Sequence, residues 1–239
     1  MKLGFKLPLK IVNSKRNTTK RQLMFMTNNT LKQYKKIRKL GMSLNEKYLQ
    51  CLDPQDIKIS GRVLGILKGE KLLFSSEEDL DRIYNFVVYD YKNIKGKNLV
   101  QIYKDKNKNL TEEELLIINS SLSSSSSLYK VVSLNTQNCT LELKDLINNE
   151  NKNIHMLDIQ LSSNPSVQNL ILYTRIIPFP GFNASSGASL LFDASCKDSI
   201  LEKYKKKMKK IVVGDEQTKL AAAFFQLYQK YGFKNVRHQ

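Results

Sequence analysis

From Glu46 onward the apolar positions of this 239-residue chain recur at the spacings of helices and strands; before it they are scattered among cations. Residues 57–74 (IKISGRVLGILKGEKLLF) alternate apolar and polar side chains around Gly61, Gly65 and Gly69, which predicts strands with Lys68-Gly69-Glu70 at a hairpin tip. A helix follows. Ser75 with Glu78, or Ser76 with Asp79, forms a capping box, and Glu77, Glu78 and Asp79 suit the positive end of a helix dipole. Leu80, Ile83, Tyr84, Val87 and Tyr91 then give one buried face. Residues 99–103 predict a second short helix. Thr111 with Glu114 caps a third, with Leu115, Ile118 and Leu122 turned inward. The serine run at 120–127 (SSLSSSSS) reads either as a linker at a domain seam or, bracketed by Leu122 and Leu128, as a helix end entering a strand.

Residues 128–192 read as five short strands: 128–134 (LYKVVSL), 139–147 (CTLELKDLI), 154–159, 170–177 (LILYTRII) and 188–192, separated by polar turns and by a loop carrying Pro165. Antiparallel pairing of such strands predicts a small curled sheet or barrel of the SH3-like or OB-like kind. Two helices finish the chain. In 197–212 the stripe is Leu201, Tyr204, Met208 and Ile211; in 215–231 it is Leu220, Phe224, Leu227, Tyr228 and Tyr231, closed by Gly232. The expected fold class is α+β: a basic, largely disordered leader (1–45), a mostly helical part with a hairpin (46–127), an antiparallel β unit (128–195), and a helical pair (196–239) packed back on it.

Charge changes this picture at one end. The formal net charge is +17, and twelve of the 39 Lys and Arg residues lie in 1–45 with none of the 22 acids. A lean toward residues of A/T-rich codons (Lys, Asn, Ile, Tyr) accounts for part of the lysine excess but not for the missing acids. Such a segment attracts polyanions, and Phe5, Phe25 and Tyr34 are interleaved with its cations. It also has the composition of an organelle transit peptide, and Met24, Met26 and Met42 are alternative starts. The candidate nucleic-acid contacts are Lys15, Arg16, Lys20, Arg21, Lys35, Lys36, Arg38 and Lys39, with Lys203, Lys205, Lys206, Lys207, Lys209 and Lys210 as a second patch whose plain alternative is a solvated helix face.

Little else carries chemistry. Neither GxxxxGK[ST] nor GxGxxG occurs, Cys51, Cys139 and Cys196 form no CxxC pair, and His155 and His238 are too few for a zinc site or a histidine-based triad. His155 is expected to be a partly buried structural residue. No run reaches the length of a membrane span. Glu142-Leu143-Lys144 places an acid and a lysine on one strand face, as Mg²⁺-dependent nucleases do, but no acid lies between Glu114 and Glu142 to complete the site. The acids at 77–81 and 112–114 complement helix dipoles. No cofactor, metal or catalytic residue is therefore expected. In the loop 178–187 (PFPGFNASSG), Phe179 and Phe182, with Arg175 before them, either grip a protein partner or plug the barrel end.

The segments LYKVVSL, LELKDLI, YTRIIPFPGFNASSG and FFQLYQKYG, taken together, resemble a family of uncharacterised cyanobacterial and plastid proteins over about 46–232. The resemblance excludes the leader and implies a soluble bacterial or plastid setting without a known activity. The first expectation for function is a non-catalytic, nucleic-acid-associated protein, an RNA or ribonucleoprotein accessory in the cytoplasm or plastid stroma. The alternative is an assembly factor that meets a protein surface, acidic if charge matters, through the 178–187 loop and the last helix. A Mg²⁺-dependent nuclease ranks third.

Overall fold

This computed structural model describes residues 13–74, 76–148 and 152–233, with the side chains of the first helix described from residue 29. That helix, α1 (Asn13–Leu49), corrects the expectation of a disordered leader. Tyr34, Leu44 and Tyr48 are buried, and Ile37 and Leu40 pack beside them, at the three- and four-residue spacing of a helix face. The stripe is sparse, and the cations between its members hide it. Residues 1–12 lie outside the described part.

The predicted strands at the start of 57–74 are instead a helix, α2 (Pro54–Leu64). Pro54 has no N–H to leave unpaired, Asp53 Oδ1 accepts from Gln55 N at 2.8 Å, and Gly65 ends the helix at φ 77°. The alternation in IKISGRVL also fits a helix that buries Ser60, Gly61, Val63 and Leu64, and a Cβ on Gly61 would collide with Leu72. The hairpin tip survives in miniature: β1 (Leu67–Lys68) and β2 (Lys71–Leu72) pair across Gly69 at φ 58°. In α3 (Glu77–Asn85), Ser76 Oγ accepts from Asp79 N at 3.2 Å. The chain then widens into a π-turn (Phe86–Asp90), closed by Tyr91 N donating to Phe86 O at 2.8 Å. All five of its residues are buried, whereas Tyr84, expected inside, is 40% exposed. Helices α4 (Leu99–Lys106) and α5 (Glu112–Leu122) follow, the latter with the reciprocal Thr111–Glu114 box.

The serine run is no seam. Ser125 opens β3 (Ser125–Asn135), Ser126 and Ser127 are buried, and Ser127 Oγ donates to Asp145 Oδ1 at 2.8 Å. Next come β4 (Thr140–Asp145), β5 (Ile154–Leu157), a one-turn helix α6 (Ile159–Ser162), a 3-10 turn (Pro165–Asn169), β6 (Leu170–Phe179), β7 (Phe182–Ser185) and β8 (Leu190–Asp193). The order β3-β4-β5-β7-β6 closes on itself because β6 also pairs with β3, while β8 extends β6. One strand more than expected is present, since β7 occupies the supposed loop 178–187, and β5 pairs with β7 in parallel. A bulge between Val131 and Ser133 bends β3 around the barrel. With its first strand between the second and fourth, its third parallel to its fifth and a helix between third and fourth, the barrel has OB-like rather than SH3-like connectivity.

Helices α7 (Lys197–Met208) and α8 (Glu216–Tyr231) close the molecule. Asp215 caps α8, accepting from Thr218 N at 2.9 Å. Phe224 stacks on barrel residue Tyr173 (4.3 Å between centroids) and on Tyr204 of α7 (5.2 Å). One apolar core therefore runs from the helices into β3, β6 and β8.

Candidate nucleic-acid interface

Opposite the buried stripe of α1, cations dominate over residues 32–39, and exposed Glu46 follows on the same arc two turns later. Lys32, Lys35, Lys36 and Lys39 are exposed, and at 100° per residue they share an arc of about 100°. Lys36 is ion-paired with Glu113. Among the described residues no carboxylate stands within ion-pair distance of Lys32, Lys35 or Lys39. Lys32 was absent from the sequence-derived contacts, and helical spacing from Lys36 would have found it. Arg38 is half-buried at the edge of this face. Its Nη1 donates to Ser185 O at 3.2 Å, and its guanidinium covers Gly187, where φ is 93° and an added Cβ would stand 2.7 Å from Nη2. Lys15, Arg16, Lys20 and Arg21 fall on the first half of α1, where side chains are outside the described part.

Beside this stripe runs a groove of about 700 Å³. Lys35, Lys39 and Met42 line one wall, Glu78 and Asp81 of α3 the other, and Ile159 and Leu161 of α6 also border it. Its acidic wall is partly neutralised by Arg82, which binds Asp79 and Glu78, each at 3.2 Å. The positive charge of the groove is therefore concentrated on its α1 side.

The second predicted patch divides. Lys205, Lys206, Lys209 and Lys210 are exposed, with Lys206 paired to Glu202. Lys203 lies over the Tyr231 ring at 4.6 Å and donates to Ser199, and Lys207 Nζ donates to Gln226 Oε1 at 3.2 Å. Those two hold α7 against α8. The two basic patches sit on elements with different neighbours: α7 packs on α8, and α1 on α4, α5 and the π-turn.

The predicted partner surface is largely interior. Arg175 is buried, not exposed beside a docking loop: it pairs with Asp90 and donates to Ser124 Oγ (2.8 Å) and Ser124 O (3.2 Å), with its guanidinium 5.4 Å from the Tyr89 ring. Burial pushes the Asp90 carboxyl above the usual carboxylate range, and the Arg175 charge opposes that shift. Thr218 Oγ1 donates to Asp90 O at 2.6 Å, so this cluster joins π-turn, α8 and barrel. Phe179 and Phe182 are half-buried and stack at 5.3 Å, and Tyr34 of α1 meets Phe182 edge-on at 6.1 Å. With Leu157 and Ala184 they form a small apolar cluster under Tyr34 of α1, on the face of β6 and β7 that carries Ile177 and Ala184.

Glu142 and Lys144 do share the outer face of β4. Glu142 accepts from Asn153 Nδ2 and Ser133 Oγ, both at 2.8 Å, and these bonds, with a smaller pull from His155, hold its carboxyl below the usual glutamate range. His155 is exposed on β5, contrary to the expected burial, because it faces outward in register with Glu142. Among the described residues no three His, Cys, Asp or Glu side chains gather as a metal site, no helix is long and apolar enough to cross a membrane, and the three cysteines are unpaired.

A family model matches residues 28–237. The chain belongs to the DUF7986 family, whose function is unknown. No curated protein and no solved structure matches it. The match to DUF7986 agrees with the resemblance to an uncharacterised family, but it starts earlier, so the cationic face of α1 from Lys32 onward lies within the family span.

Proposed function

We propose that this protein is a non-catalytic RNA-binding accessory that holds the phosphate backbone along the exposed face of α1. A cytoplasmic or plastid-stroma setting accompanies this reading through the cyanobacterial and plastid resemblance. The observation that carries it is a helix that buries one stripe and turns Lys32, Lys35 and Lys39 to solvent with no described carboxylate within ion-pair distance. Contacts of this kind release counterions and position a strand without reading its bases. The OB-like connectivity adds support by analogy of fold alone. The exposed lysines of α7 form a separate patch. The rival grip on a protein partner has only half-buried rings to offer, already engaged with Tyr34 and with each other.

The test is fluorescence anisotropy with a short single-stranded RNA. Lys32→Glu/Lys35→Glu/Lys39→Glu is expected to lose at least about tenfold in affinity at low salt while keeping its melting temperature. Unchanged affinity refutes the reading.

A further inference from the structure

The outer wall of the barrel holds a pair of charges that the fold alone does not account for. Lys130 of β3 and Lys144 of β4 are direct register partners. Their chain neighbours Tyr129, Val131, Leu143 and Asp145 are buried, so both lysines project outward, and both are exposed. Side chains directly opposite in an antiparallel pair have Cβ atoms about 4.5–5.5 Å apart, and like charges there destabilise the sheet. Among the described residues neither ammonium has a carboxylate within ion-pair distance. The outward acid nearest in sequence, Glu142, is engaged by Ser133 and Asn153. Glu150, in the β4–β5 connection, lies outside the described residues.

From this geometry we infer that Lys130 and Lys144 form a phosphate site on the barrel wall, filled by a nucleic-acid backbone. Two ammonium groups side by side match the two non-bridging oxygens of one phosphodiester, and a bound phosphate turns their repulsion into attraction. Lys152, exposed just before β5, extends the positive edge. The outward residues of β3, β4 and β5 include Val132, Ser133, Glu142 and His155 but no Phe, Tyr or Trp, so the wall offers no broad stacking platform and contact is with the backbone. The inference rests on the nucleic-acid reading for its ligand class and adds a second surface on another element.

The test uses the full chain with Lys130→Gln/Lys144→Gln, Lys144→Glu, Glu150→Gln and, as a control at another exposed lysine, Lys95→Glu. Probes are single-stranded RNA, DNA of the same sequence, and inorganic triphosphate. Lys144→Glu converts the repelling pair into an attractive one, so it is expected to melt at a higher temperature yet bind RNA about three- to tenfold more weakly, with the salt slope shallower by about one. The double glutamine variant is expected to show the same loss, and Lys95→Glu and Glu150→Gln no loss. Affinity for RNA or DNA well above that for triphosphate identifies a polymer backbone as the occupant; equal or tighter binding of triphosphate overturns that assignment. If the α1 triple variant loses binding while Lys144→Glu and the double glutamine variant bind like Lys95→Glu, this inference fails and the α1 reading stands. Absence of RNA binding by the unmodified chain overturns both.

Discussion

A guanidinium sealed away from water has to be matched on every polar edge, and Arg175 meets most of that demand through Asp90 and Ser124. Removing it strands a buried carboxylate. Arg175→Met is expected to cost about 3–5 kcal/mol, and the joint Asp90→Asn/Arg175→Met variant to recover part of that, both measured by urea denaturation. The sign of the pH effect follows from burial. Asp90 has a folded pKa above its ordinary 3.8, so the folded state takes up a proton more readily than the unfolded one. Its share of stability is present at low pH and is lost as pH rises from 3.8 through the raised value. Without Arg175 that window widens upward, so the penalty of Arg175→Met is expected to shrink in mild acid; a penalty independent of pH counts against the pair. Arg175 was legible as unusual, a lone cation in LILYTRII. Its role was not, because alternation assigns a solvent face only to a strand with one wet side, and β6 is covered on both. Asp90, 85 residues away, gave no local signal.

At the scale of elements, caps were readable and faces less so. The Thr111–Glu114 box formed as predicted, and Thr111→Ala is expected to cost about 1 kcal/mol of stability. The Ser76 cap formed too, but α3 buries Asp79, Ile83 and then Phe86, which leaves Tyr84 outside that face, and no three- or four-residue spacing announces the π-turn that follows. For α2, alternation misled because IKISGRVL satisfies both periods, with Pro54 and Asp53 the helical evidence. In α1, cation density disguised an ordinary amphipathic helix. Leu44→Ala is therefore expected to cost about 2–5 kcal/mol in denaturant, as a core truncation does. Deleting residues 1–45 removes both Tyr34 and Leu44 and is expected to abolish the cooperative transition; a truncated chain as stable as the whole would show that α1 is dispensable.

For the whole molecule, the polar turns of 128–192 marked the strands, but order and closure depend on pairings such as β3 with β6 that sequence spacing does not encode. The stacked trio Tyr173, Phe224 and Tyr204 joins barrel and helices in one core, so far-ultraviolet circular dichroism and tyrosine fluorescence are expected to report a single, coincident unfolding transition. Two separated transitions would restore the seam at the serine run. The candidate interface was half legible: the excess of cations pointed to α1, and only the fold separated Lys32, Lys35 and Lys39 on its surface from half-buried Arg38 and paired Lys36. The central claim is that these lysines meet phosphates, and its most direct measurement is the salt dependence of single-stranded RNA affinity for the full chain. Three contacts on α1 predict a slope of log K against log salt of about −2 or steeper, at about 0.7 per phosphate. A flat line would contradict it.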